Sequence, residues 1–134
     1  MTVPVTSLYA ALLLFVALRL IGWVIDARRQ DKVPLGDGGS KEVLLRMRAQ
    51  SNFIETVPLA LIGLLLMELN GMPVWFLHAY GIVLFLARCA HPIGMTNRYP
   101  QYPFRFGGTV ATVTLLLVGG AVLFVQALLN IFAS

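Results

Sequence analysis

Three side chains able to hold a charged ligand fall within eight residues of this chain. They are Arg48, Asn52 and Glu55, in the stretch Arg48-Ala-Gln-Ser-Asn52-Phe-Ile-Glu55-Thr-Val-Pro58. On a helix, at about 100° per residue, the three lie within roughly 60° of one another. One cation, one amide and one carboxylate then share a face. Guanidinium groups grip carboxylates through paired, charge-assisted hydrogen bonds, and a carboxylate can bind an amine. An arginine near a thiol favours the thiolate by opposing uptake of its proton. The set suits a small zwitterionic ligand bearing several carboxylates. Gln50 points about 160° away from the mean direction of the other three, so both faces of this helix are candidates for use, one within its own bundle and one on a neighbouring subunit.

The element that carries these residues continues as Leu59-Ala-Leu-Ile-Gly-Leu-Leu-Leu-Met67, apolar enough to sit in lipid. The whole chain shares this bias. Of 134 residues, 58% are hydrophobic and 12% charged, against about 25% charged in ordinary soluble domains. A chain of this length has no water-soluble core large enough to take so much apolar surface, so lipid is the expected solvent. One domain is expected, an all-α membrane bundle with spans at about 5–25, 43–69, 74–95 and 107–132. Each is close to the ~20 residues a helix needs to cross the hydrocarbon. Backbone groups in lipid must be satisfied within their own segment, which makes these runs helices. No basic region precedes the first run and no clear cleavage site follows it, so it reads as a retained span.

The connections set the topology. Residues 26–40 hold Arg28, Arg29 and Lys32 and end in Gly36-Asp-Gly-Gly39, a turn sequence, with Ser40 as a helix N-cap. Asn70-Gly-Met-Pro73 is short enough to make spans two and three an antiparallel hairpin. The first connection with its flanks carries Arg28, Arg29, Lys32, Lys41, Arg46 and Arg48; the third carries Arg98 and Arg105, with Arg88 just inside its helix. The hairpin turn carries no lysine or arginine. The positive-inside rule places the basic side in the cytoplasm and both termini outside it. This clustering beside apolar spans explains the net charge of +4 and gives no signal for nucleic acid. The single cysteine, Cys89, excludes an intramolecular disulfide and a cysteine metal cluster.

Other ionisable groups gather on the basic side. Arg88 and His91 share a face of span three, and Arg105 opens span four. Together with Arg48, Asn52 and Glu55 they could line one polar pocket near the inner surface, which an apolar co-substrate could enter from lipid. Each has a plainer reading. Arg48 could be a snorkelling anchor, Arg88 could pair with Glu55, and Arg105 could be a topological anchor. Pro58 frees the carbonyl of Ile54 and allows a kink. Arg19, within span one, has no evident ligand role. Glu68 and His78, at the opposite side, read as caps of the hairpin, and Cys89 as a small packing residue.

These residues resemble the membrane-associated proteins in eicosanoid and glutathione metabolism, the MAPEG family. The resemblance rests on Arg48-Ala-Gln-Ser-Asn52-Phe-Ile-Glu55-Thr-Val-Pro58-Leu and Ala87-Arg88-Cys-Ala-His91, and on the Gly36-Asp-Gly-Gly39 and Glu68-Leu-Asn-Gly71 turns, which look like the small bacterial branch. It implies a four-helix membrane bundle assembled as a homotrimer, with glutathione bound between subunits near the cytoplasmic side. By similarity, Arg48, Asn52 and Glu55 would bind glutathione's carboxylates and amine. Arg28, Gln50, Arg88 and His91 match further contacts, and Arg105 matches the arginine that stabilises the thiolate. The activity implied is a glutathione-dependent transferase or peroxidase acting on a lipophilic electrophile. One departure stands out: Met95 occupies a position where several of the family's enzymes carry a tyrosine, and methionine has no hydroxyl to donate. Tyr99 and Tyr102 are the nearby candidates to replace it. A non-catalytic ligand-binding scaffold of the same fold is the alternative. A four-span proton-coupled exporter fits less well, because span one has no acid before Asp26.

Overall fold

The computed structural model describes residues 2–95 and 102–133. It comprises four helices: α1 (Pro4–Gln30), α2 (Lys41–Leu69), α3 (Val74–Ile93) and α4 (Tyr102–Ala133). No strand occurs among the described residues. All four are long and apolar enough to cross a membrane. α1 and α4 overrun the expected spans, because the hydropathy pattern stops before the backbone hydrogen bonding does. α1 continues past Ile25 to Gln30 and carries Arg28 and Arg29 on its last turn, where cations complement the helix dipole. α4 begins at Tyr102, five residues before the expected start, so Arg105 lies inside its first turn. α3 stops at Ile93, short of Met95, with Gly94 as its C-cap.

α2 and α3 form the expected hairpin through Asn70–Pro73. α2 runs unbroken through Pro58. Helix α3 is the most interior: its membrane window is 39% buried within the chain, against 11% for α4. α4 therefore leaves most of its surface to lipid or to another chain. α3 packs most extensively on α4, and α1 on α2. The core joins Tyr9, Leu13 and Leu20 of α1 to Phe53, Leu64 and Met67 of α2 and Leu77, Tyr80 and Leu84 of α3.

Two glycines permit specific features. Gly38, in the loop between α1 and α2, holds φ +57, and a side chain there would also strike Val33. Gly108 lets α4 approach α3. A Cβ at that position would lie 2.7 Å from the Ala87 carbonyl oxygen and 3.0 Å from the His91 Cβ. The N-cap of α2 is Ser40, whose hydroxyl accepts from the Val43 N–H at 3.2 Å and also bonds the Asp31 carboxylate.

Candidate functional site

The two ends of the bundle use their polar residues differently. At the hairpin end, the first N–H groups of α1 have no partner within their own helix. The Glu68 carboxylate, from the last turn of α2, accepts from Val5 N–H at 2.9 Å and Thr6 N–H at 2.7 Å. Pro4 occupies the first turn of the same helix, where its missing N–H costs nothing. The Tyr9 hydroxyl lies 3.0 Å from His78 Nδ1 and donates to the His78 carbonyl at 3.2 Å. Glu68 and His78 therefore fasten α1 to the hairpin. This corrects the expectation that they cap the hairpin itself. Periodicity cannot show which distant backbone a carboxylate will reach.

At the opposite end, Arg88 is the organising residue. Its relative exposure is 1%, the guanidinium lying at the junction of three helices. Nη1 donates to the Asn52 side-chain carbonyl at 2.7 Å and to the Thr56 hydroxyl at 3.3 Å, both on α2. Nη2 donates to the Gly108 carbonyl of α4 at 2.7 Å. That carbonyl is shared with the Thr112 hydroxyl, which donates to it at 2.8 Å. The expected alternative, an Arg88–Glu55 pair, does not form; the guanidinium takes the nearer amide instead. His91 is buried one turn further along, against Gly108.

Asn52 is thus held in one orientation by Arg88. Arg48 and Glu55, one turn to either side on α2, remain exposed. Neither has a hydrogen-bond or ion-pair partner among the described residues. Arg105, one turn before Gly108, is also exposed. At about 1.5 Å per residue, Arg48 sits roughly 6 Å from Asn52 towards the membrane surface and Glu55 about 4.5 Å deeper. The single chain divides the candidate groups between surface and interior rather than gathering them around one pocket. Gln50 does lie on another face: with Phe53 and Ile54 it borders a small gap against Ala17, Leu20 and Ile21 of α1. Arg28 lies on the α1 side near the loop, its Nη1 reaching the Pro34 carbonyl at 3.5 Å. Met95 is buried. Tyr102 is exposed, while Arg98 and Tyr99 fall outside the described residues.

The model of the MAPEG family matches residues 6–128. The chain belongs to this family. The inner membrane protein YecN of Escherichia coli (strain K12) is 35% identical over 114 residues, which cover 85% of this chain and 86% of YecN. YecN of the O6:H1 strain of the same species aligns to the same extent. No solved structure matches the chain significantly. This MAPEG protein is an integral membrane protein with four membrane-spanning helices.

Sequence reasoning missed a second feature. A cleft of about 520 Å³ separates α1 from α3, lined by Phe15, Arg19, Trp23, Phe85, Arg88 and Cys89 among others. Cys89 is exposed there, not packed as expected. The lone Arg19 among the apolar residues of α1 was the available signal.

Proposed function

We propose that this MAPEG protein is a glutathione-dependent transferase or peroxidase acting on a lipophilic electrophile at the cytoplasmic side of a bacterial inner membrane. The observation that carries this reading is the state of Glu55 and Arg48. A carboxylate and a guanidinium are held on a membrane helix, flanking an amide fixed by Arg88, and neither is neutralised among the described residues. Charged groups on membrane helices are costly, and a site that keeps both signs unpaired suits a ligand that carries both. Glutathione supplies an amine for Glu55 and carboxylates for Arg48. Family membership makes that peptide the leading choice. The name of the YecN relative supports the inner membrane.

In this account Arg88 acts through Asn52, whose orientation it fixes, and His91 backs the same wall. Arg105 lies at the same end on the first turn of α4 and stabilises the sulfur as thiolate, the proton leaving to water. The thiolate then attacks the electrophilic carbon. A C–S bond forms, and the leaving group departs with the electron pair of its broken bond. Arg48 and Glu55 face outward, so a second copy, as in a homotrimer, completes the enclosure. Arg28 and Gln50, on other faces, contribute to a neighbour's ligand. Both termini lie outside the cytoplasm.

Glutathione titration of the detergent-purified protein, followed by the ultraviolet absorbance of the thiolate, tests the reading. The expected result is a saturable rise that Arg105→Ala abolishes with little loss of affinity. A second reading, a non-catalytic binding scaffold, is favoured by the buried Met95 in place of a hydroxyl donor. It predicts saturable binding by calorimetry with no thiolate signal. Absence of binding would refute both assignments of the ligand.

A further inference from the structure

Four unpaired charges on α1 and α2 stand at matched heights. The Glu68 carboxylate accepts from the Thr6 N–H at 2.7 Å, so these two residues are level. Thirteen residues from that contact along each helix lie Arg19 and Glu55; twenty residues from it lie Asp26 and Arg48. At about 1.5 Å per residue the four form two rows about 10 Å apart. Each row holds one cation and one acid. All four side chains are exposed, and none has a hydrogen-bond or ion-pair partner among the described residues. Within one chain the members of a row point apart. Arg19 borders the cleft on the α3 side of α1, and Asp26, seven residues on, lies within about 20° of it. On α2, Gln50 and Ile54 face α1, while Asn52 turns to Arg88. Arg48 and Glu55 lie roughly 40–60° beyond Asn52, outward and away from α1. One side of the bundle thus shows Asp26 and Arg19, and the opposite side shows Arg48 and Glu55.

We infer that, without ligand, the α1 side of one copy seats on the α2 side of the next, Arg19 pairing with Glu55 and Asp26 with Arg48, and that a ligand must displace this contact. The charges select a second copy as the occupant. A shared bilayer holds every copy at one height, so rows that are level within a chain are level between chains. Both rows then match in sign at once. Two copies of α1 face to face would set Arg19 against Arg19 and Asp26 against Asp26. The contact is therefore head-to-tail, the type that closes into a ring. On α1 the charges belong to a seam of Leu8, Leu12, Phe15, Arg19, Gly22 and Asp26, stepping by four and three residues as helices do where they pack on another helix. Pairing also relieves the cost of Arg19 and Glu55 on membrane helices. The displacement rests on the reading of Arg48 and Glu55 as ligand-binding groups. The neighbour's Asp26 stands where the ligand carboxylate binds, and its Arg19 where the ligand amine binds, which lowers the apparent affinity. Neither pair lies within a chain, so each copy folds without them.

Cross-linking tests the contact. Cys89→Ser removes the chain's one thiol. In that background, differently tagged Arg19→Cys and Glu55→Cys chains are mixed, reconstituted without glutathione and treated with a short bismaleimide. The expected product joins the two tags several-fold more efficiently than it joins like chains. Asp26→Cys mixed with Arg48→Cys should behave in the same way, so a variant that fails to fold leaves the other row to decide. Products between like chains in equal yield would overturn the contact. Calorimetry tests the displacement. Glutathione should bind Arg19→Gln about fivefold more tightly than the unaltered chain, the upper value of an exposed ion pair. Loss of a cation ordinarily weakens the binding of an anionic ligand, so equal or weaker affinity would overturn the displacement. Failure of the unaltered chain to bind glutathione would sink the ligand reading and the displacement with it, while the cross-links decide the contact by themselves.

Discussion

The hairpin end and the opposite end of this bundle each place an acid on α2, and the two acids have different fates. Glu68 is consumed by structure: both its oxygens accept N–H groups from the start of α1. Glu55, on the same helix, has no partner among the described residues. The cations divide in the same way. Arg46 is engaged with Glu42 at 2.8 Å, with the Trp23 carbonyl at 2.9 Å and with the Trp23 ring at 4.9 Å. Arg48, two residues on, is left free of partners among the described residues. A charged side chain near lipid is therefore informative only once its partner is known. Satisfied charges hold helices together, and unsatisfied ones point to something outside the chain.

Four substitutions would break or sharpen that contrast. Arg88→Ala should have the largest effect on stability. Interhelical hydrogen bonds in membranes average ~0.6 kcal/mol each, but this one group makes three and is charged, so a loss of roughly 2–4 kcal/mol is expected in denaturant unfolding from micelles. Glutathione binding should fall with it, because Asn52 loses its anchor. Gly108→Ala should cost about 1–3 kcal/mol by the same assay, since the new methyl meets the Ala87 backbone rather than a yielding side chain. Glu68→Gln should cost roughly 1–2 kcal/mol through loss of a charged cap at the α1 N-terminus, with ligand affinity unchanged. Glu55→Gln should move stability by less than about 0.5 kcal/mol.

The fold was legible from hydropathy because lipid imposes a length and a backbone rule on each span. The helix ends were less so. α1 and α4 extend beyond their apolar stretches, since hydrogen bonding continues where hydropathy has stopped. The candidate site was half legible. The spacing of Arg48, Asn52 and Glu55 gave their shared face, and Gln50 was rightly placed on another. That Arg88 would turn to Asn52 rather than Glu55 was beyond reach, because the choice depends on how α2, α3 and α4 abut at Gly108. Glu68 failed for the same reason: its partners lie 62 and 63 residues away in sequence. The cleft around Arg19 arises between two helices that no motif links.

The most direct test of the contrast between the ends is calorimetric titration of glutathione into three purified proteins: the unaltered chain, Glu55→Gln and Glu68→Gln. Unfolding midpoints would be recorded on the same samples. The account predicts that Glu55→Gln weakens binding about tenfold or more with stability intact, and that Glu68→Gln lowers stability while binding is unchanged. Equal loss of affinity in both variants, or binding untouched by Glu55→Gln, would contradict it.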